Sequence, residues 1–291
     1  MTDPTVIIKG ALSVSIALLV VALGMRASFA DATSLFRTAW QPPYRLARAL
    51  VAMHLFVPAL AIGVALLADL SPSIRIALLA MAVSPIPPIL PGKQLKAGGD
   101  QRYIFGLLVA VSLVSCLTIP VAVALLGQIF SRESHIGLFA VARLMAASIL
   151  LPLLLGLLFR HLAPDLADRL GPWCSGLGTA LLMLGLIPVL MKVWPTMVAL
   201  AYNGAAWLIA AVVAAAMALG HLLGGPHADE RSALAMASAM RHPGVALAIV
   251  GLNATDEPGA AAAILFYLLI ATLLTTFYGV LVRRMSAANP P

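Results

Sequence analysis

Acidic side chains are scarce in this sequence: its 291 residues hold only eleven Asp and Glu, and charged residues of all types make up 10%. Soluble domains carry about a quarter charged residues, so no soluble domain fits. With 62% hydrophobic residues and a mean hydropathy of +1.03, the chain reads as an integral membrane protein, of the bacterial inner-membrane or plasma-membrane type. Cysteine is nearly absent too. Cys116 and Cys174 lie in apolar surroundings and read as small core residues, not as a disulfide or a metal site. No cleavable signal peptide is expected, because the first apolar run, Val6 to Met25, leads into Arg26 without a small-residue cleavage site. The net charge of +7 would suit a nucleic-acid partner, but its placement in short loops points to membrane topology, and no nucleic acid is expected.

A bilayer span needs roughly 20 apolar residues. Nine spans are expected, over approximately 5–25, 45–68, 73–97 (broken), 101–127, 136–161, 172–193, 199–223, 229–253 (broken) and 258–283. The fold class is therefore an all-α polytopic membrane protein, a single transmembrane domain over 1–291. Cations divide unevenly between the span ends. Arg26, Arg37, Arg45, Arg48, Lys93, Lys96, Arg102, Arg160, Arg169, Arg231, Arg283 and Arg284 share one side; Lys9, Arg75, Arg132 and Lys192 share the other. This puts the amino terminus outside and the carboxyl terminus in the cytoplasm. Trp40, Trp173 and Trp194 fall near span ends, as an interfacial belt requires.

Two spans are interrupted. Ser84 to Gly92 reads S-P-I-P-P-I-L-P-G, with four prolines in nine residues. Proline removes a backbone donor and clashes with the preceding turn, so no continuous helix runs through this stretch. A loop between two separate helices is the alternative, kept open by Lys93, Gln94 and Lys96 directly after it. The second interruption is A-M-R-H-P-G-V-A, Ala239 to Ala246, about 153 residues further on. Spans one to four and six to nine then form equivalent blocks around span five, in opposite orientation. That is the pattern of an inverted repeat with a site where the broken helices cross.

Every acidic residue falls at or beyond a span end, which leaves Arg241, His242, His54 and Arg143 as the intramembrane ionisable groups. An Arg at mid-bilayer costs at least about 2.5 kcal/mol, so Arg241 faces either a substrate anion or backbone carbonyls freed by the proline break. His242 can couple a proton near neutral pH or be a packing residue, and His54 has the same two readings. Arg143 reads as snorkelling. Lys93 and Lys96 read as topology signals, with the lining of an inner mouth as the alternative. The candidate substrate-binding residues are Arg241, His242, Ser238 and Gly244 on the second break, Pro85, Pro88 and Pro91 on the first, and His54. No Ser-His pair, Asp pair or metal-ligand spacing appears within the spans, so neither an intramembrane enzyme nor a cofactor is expected.

At these interruptions the sequence resembles the bile acid:sodium symporter superfamily. G-M-R-A-S-F-A-D, Gly24 to Asp31, is similar to the family's G-M-G-L-x-L-x-x-x-D. Pro58, Pro85 and A-G-G-D, Ala97 to Asp100, fall at the family's spacing, and M-R-H-P-G-V-A-L-A resembles the family's M-Q-N-S/P-G-L-A. The resemblance implies a core of approximately 45–127 and 199–283, holding both crossing helices, and a panel of approximately 5–25 and 136–193. It also implies transport of organic anions by alternating access, one part rocking against the other. The departures bear on sodium. The family's Ser and Asn ligands in the first break fall on Leu90 and Pro91, the hydroxyl ligands of the next span on Ile104 and Leu108, its Glu on Ala237 and its Gln on Arg241. A hard cation needs several oxygen ligands, so sodium is not an expected partner. Arg241 would stand in for it as a fixed cation beside a small organic anion. Left open are a non-transporting receptor or scaffold of the same fold and a proton-coupled carrier using His242.

Overall fold

Proline stands at the start of several helices. The computed structural model describes the backbone of residues 4–41, 44–130, 137–202, 204–254, 256–257 and 259–288. Asp3, Arg132 and Glu133, and the side chain of Lys9, lie outside the described residues. In chain order the helices are α1 (Pro4–Gly24), α2 (Phe29–Ala32), α3 (Ser34–Arg37), α4 (Arg45–Leu50), α5 (Val57–Leu67), α6 (Pro72–Val83), α7 (Leu90–Lys96), α8 (Gln101–Ile129), α9 (Leu138–Met145), α10 (Leu151–Leu162), α11 (Pro164–Tyr202), α12 (Ala205–Leu223), α13 (Ala228–Ala239), α14 (Pro243–Asn253) and α15 (Gly259–Ala288). There is no strand among the described residues. Pro72, Pro91 and Pro243 each stand in the first two positions of a new helix, where the missing N–H has no intrahelical partner to lose; Pro58 and Pro152 hold the same positions in α5 and α10 but follow directly on a helical turn.

Two of these prolines leave a wider turn behind them. Val51–Phe56 joins α4 to α5, and Ala146–Leu150 joins α9 to α10, each as a π-helical turn. Before Pro58 the Val57 amide reaches back five residues, to the Ala52 carbonyl. The Met53 carbonyl therefore loses the Val57 amide, and Pro58, next in line, has no N–H to give.

Among the described residues seven helices are long and apolar enough to cross a membrane: Arg45–Leu67, Gln101–Ile129, Phe139–Leu162, Pro164–Tyr202, Ala205–Leu223, Ala228–Asn253 and Gly259–Met285. The other two expected spans correspond to shorter apolar helices, Gly10–Gly24 and Pro72–Val83. Residues 172–193 form only the middle of α11, which runs unbroken for 39 residues through Pro172, Pro188 and Pro195. At 1.5 Å per residue it is about 58 Å long, well beyond a hydrocarbon core of about 30 Å. Proline is tolerated inside such a helix where neighbours re-satisfy the freed backbone groups.

Packing sorts the helices into two groups. α1 lies against α10 and α11, while α6 packs on α14 and α15, and α12 on α13 and α15. The first contact is close because it is made by glycine: a Cβ on Gly24 would sit 2.6 Å from the Leu153 carbonyl oxygen and 2.9 Å from the Gly156 Cα. Gly178 meets Leu19 and Ser15 of α1 in the same way. Polar contacts gather the larger cation set at one end, the basic end of the molecule. Arg45 pairs with Glu230 at 2.9 Å, the Arg48 Nε donates to the Leu223 carbonyl, Arg102 lies 3.7 Å from Asp31, and Arg160 pairs with Asp168. Arg75, on α6, lies at the opposite end, where Ser73 donates to Glu257 at 3.1 Å.

Candidate functional site

Both interruptions are real breaks, and they cross. α6 ends at Val83 and α7 starts at Leu90; α13 ends at Ala239 and α14 starts at Pro243. Between them the His242 amide donates to the Pro85 carbonyl at 2.8 Å. α7 meets α13 at the basic end, where the Gln94 side-chain amide donates to the Ala233 carbonyl at 2.7 Å, while α6 meets α14 at the other.

Broken helices leave orphan carbonyls at their ends, and here they are met one by one. Ser84 covers the end of α6, its hydroxyl donating to Ala80 and its amide to Met81. The Tyr267 hydroxyl donates to Ala239 at the end of α13. His242 caps α14 itself: its Nδ1 accepts the Gly244 amide at 3.1 Å. Two further carbonyls are Ala82, beside the first break, and Met53, above the π turn. The Arg241 Nη2 donates to both, at 2.5 and 2.6 Å. Arg241 is only 1% exposed and is the largest fully buried side chain among the described residues. A cation at the carboxyl end of α6 also faces the negative end of that helix dipole.

The positions that the resemblance assigned to sodium ligands carry no side-chain oxygen. Leu90, Ile104, Leu108 and Ala237 are buried apolar side chains packed in the core, and Pro91 is buried beside them. Among the described residues no group of three or more His, Cys, Asp or Glu could hold a metal ion.

A cavity of about 500 Å³ opens beside the crossing at the basic end. Leu19, Ala22, Leu23 and Arg26 of the α1 segment and Ser175, Thr179 and Leu182 of α11 form one wall; Pro88, Ile89, Gly92, Lys93, Leu95 and Lys96 form the other. It thus lies between the first helix group and the arm that follows the proline break. Its described lining residues include three cations and two hydroxyls on apolar walls, and no carboxylate. A larger cavity nearby, about 580 Å³, is different in kind. There Arg37, Arg45 and Arg102 share the lining with Asp100, Asp229 and Glu230, so the signs offset one another. Asp31 stands close to this region. Burial by itself would raise its carboxyl, but the Ser28 amide, the Gln101 side chain, the Ser28 hydroxyl and the Arg102 charge together hold it below the ordinary Asp value.

Of the eight candidate residues, Pro88 lines the acid-free cavity. Arg241, His242, Pro85 and Gly244 come together at the crossing behind it. Pro91 is buried in α7, and Ser238 is buried against α12, where a Cβ on Gly220 would sit 2.5 Å from its hydroxyl. His54 stands apart from these: its Nε2 lies 3.2 Å from the Ser115 hydroxyl, and its ring lines an apolar cavity of about 220 Å³ with Leu55, Pro58, Leu79 and Ala82. Sequence reasoning gave no role to Ser175 or Thr179, because α11 carries no motif that assigns them one, and it read Arg26 as a topology cation within the Gly24–Asp31 motif. Glu230, expected at the end of the eighth span, lies there in the first turn of α13, 3% exposed and paired with Arg45.

A helical membrane protein built around two interrupted, crossing helices, with a cationic cavity beside the crossing, is the class this architecture defines. The sequence model of the sodium bile acid symporter family matches residues 14–217, 204 of the 291, and the chain belongs to that family. The family is one of transporters rather than enzymes. The matched range includes the first break and ends before α13. No curated protein matches the chain.

Proposed function

We propose that the protein is a secondary transporter that carries a small organic anion by alternating access, without sodium coupling. The observation that carries this is the cavity of about 500 Å³ in which Arg26, Lys93 and Lys96 stand over apolar walls with no acid among the described lining residues. Cations in a partly desolvated cleft bind a carboxylate or sulfonate by charge-assisted hydrogen bonds. The Leu19, Leu23, Ile89 and Leu182 side chains would take the apolar body of the same molecule. A single rocking movement of α1 and α11 against the α7 arm would open or close this cleft, since the wall is split between the two helix groups.

Arg241 takes the place of a coupling ion in this reading. A cation at a helix crossing neutralises the carbonyl ends of broken helices, and its guanidinium already bonds two of them. Such a charge is present in every state of the cycle, so no ion has to arrive with the substrate. The crossing then holds its shape while the cleft beside it changes.

A thermal-shift screen of the purified protein against organic anions, in sodium chloride and in choline chloride, tests the proposal. The expected result is stabilisation by an amphipathic carboxylate or sulfonate, equal in the two salts, and weakened in the Lys93→Gln, Lys96→Gln double variant. Counterflow of the same anion in proteoliposomes then separates a carrier from a receptor. Stabilisation that requires sodium would overturn the ion-free reading, and equal stabilisation by uncharged analogues would overturn the anion site.

A further inference from the structure

A second, smaller cavity adjoins the first. It measures about 130 Å³ and is lined by Lys93, Lys96, Ala97, Met236, Thr275, Thr276, Gly279 and Arg283. Lys93 and Lys96 line both cavities. The Lys93 ammonium is held on the side of the smaller one, donating to the Thr276 hydroxyl at 3.2 Å and to the Thr272 carbonyl at 3.4 Å. Gly279 lines it too, where a Cβ would sit 3.4 Å from the Ala97 Cβ and 3.8 Å from the Met236 Cε.

Charge is the reason to read the two cavities together. Arg26, Lys93, Lys96 and Arg283 surround them, and no carboxylate is among the described lining residues of either. Elsewhere at this end several cations have acidic partners: Arg45 pairs with Glu230, Arg102 with Asp31 and Arg160 with Asp168. Of the four around the cavities, Lys93 is half-buried between the two, while Arg26, Lys96 and Arg283 are exposed at the basic end. A single carboxylate in the larger cavity offsets one of them. A second anionic group on the same molecule, reaching past Lys93 into the smaller cavity, would meet Lys96 and Arg283, while the Thr275 and Thr276 hydroxyls donate to carbonyls of their own helix.

We infer that the ligand of this cleft is a dianion, a molecule with two acidic groups joined by an apolar body, and that the cavity around Arg283, Thr275 and Thr276 seats the second acidic group. The inference rests on the anion-transport reading above. It adds the number of charges on the substrate, and residues of α15 that discriminate between substrates. The order of events follows from the geometry: the first acid and the apolar body fill the cleft, and the second acid confers the preference.

The experiment compares α,ω-dicarboxylates of four to ten carbons with monocarboxylates of the same lengths, by thermal shift and titration calorimetry on the full chain. The expected result is tighter binding of the dicarboxylate. Arg283→Gln should weaken it about tenfold, the equivalent of one charge-assisted hydrogen bond, and leave the monocarboxylate unchanged. Arg284→Gln is the control, because Arg284 carries the same charge but does not line the cavity. An equal loss in Arg284→Gln would mean a diffuse surface field and overturn the subsite. Equal binding of mono- and dicarboxylates would also overturn it, while leaving the transporter reading intact. If neither class binds, both readings fall together. Stabilisation by phosphatidylglycerol nanodiscs that Arg283→Gln abolishes and dicarboxylates do not displace would assign the cavity to a lipid headgroup instead, and overturn the proposal.

Discussion

An arginine in the middle of a membrane protein, with neighbouring segments that supply no acid, needs partners of another kind, and Arg241 finds them in the backbone. Its two carbonyl bonds go to groups that cannot pair within their own helices: Met53, deprived by the π turn and Pro58, and Ala82, at the broken end of α6. Hydrogen bonds to a charged donor contribute about 1.5–3 kcal/mol each, and a buried polar group left unmade costs about 1–3 kcal/mol. Arg241→Met should therefore lower the melting temperature sharply, with both carbonyls orphaned, and Arg241→Lys should lower it less. Arg241→Gln restores the residue type found in the family's motif. It should still not create sodium-dependent stabilisation, because Leu90, Pro91, Ile104, Leu108 and Ala237 remain without oxygen ligands. Melting curves of the three variants in sodium and choline chloride check both statements. A sodium-stabilised Arg241→Gln would show that the arginine alone excludes the ion.

At the level of elements, the packing of α1 depends on the absence of two side chains. Gly24 faces the backbone of Leu153 and Gly156, so a Cβ there meets atoms that cannot swing aside. Overpacking of this sort costs about 1–3 kcal/mol. Gly24→Val should part α1 from α10 and lower the thermal stability, whereas Gly10→Val, which meets nothing within 4 Å, should be neutral. Equal melting temperatures for the two variants would show that α1 is not locked at this contact. The sequence already marked Gly24 as the start of a family motif, but without the reason for it. The same holds more widely. Both helix breaks were legible, because proline acts on the backbone locally and at a fixed position. The partners of Arg241 were legible only as a class, freed carbonyls, since Met53 comes from a span 188 residues away whose π turn has no strong sequence signal. The acid-free cavity was hardly legible at all. Its cations come from segments around Arg26 and Lys93, and they read equally well as topology signals until α1, α7 and α11 are brought side by side. Glu230 was legible as a span-end carboxylate, but its pairing with Arg45 was not, because the partner comes from a distant helix.

For the whole molecule, the uneven division of cations has two consequences that are usually treated apart. By the positive-inside rule it would orient the chain, and here it also places three cations around a cavity lined by both helix groups and free of acids among its described lining residues. If the basic end is cytoplasmic, the cleft is open to the cytoplasm and closed toward the other side, where Arg75 and Asn253 border a separate cavity of about 210 Å³ between α6, α8 and α14. Accessibility then reports orientation and state together. Ile89 lines the cleft, half-buried, and is distant in sequence from both native cysteines. In a background with Cys116→Ala and Cys174→Ala, the Ile89→Cys variant should react with a membrane-impermeant maleimide added from the cytoplasmic side of oriented vesicles. A bound dicarboxylate should slow the reaction, because it fills the same space. Labelling from the external face alone would reverse the orientation. An Ile89→Cys variant inert from both faces would mean that water does not reach the cleft in the membrane, and a cleft without water cannot admit a charged substrate.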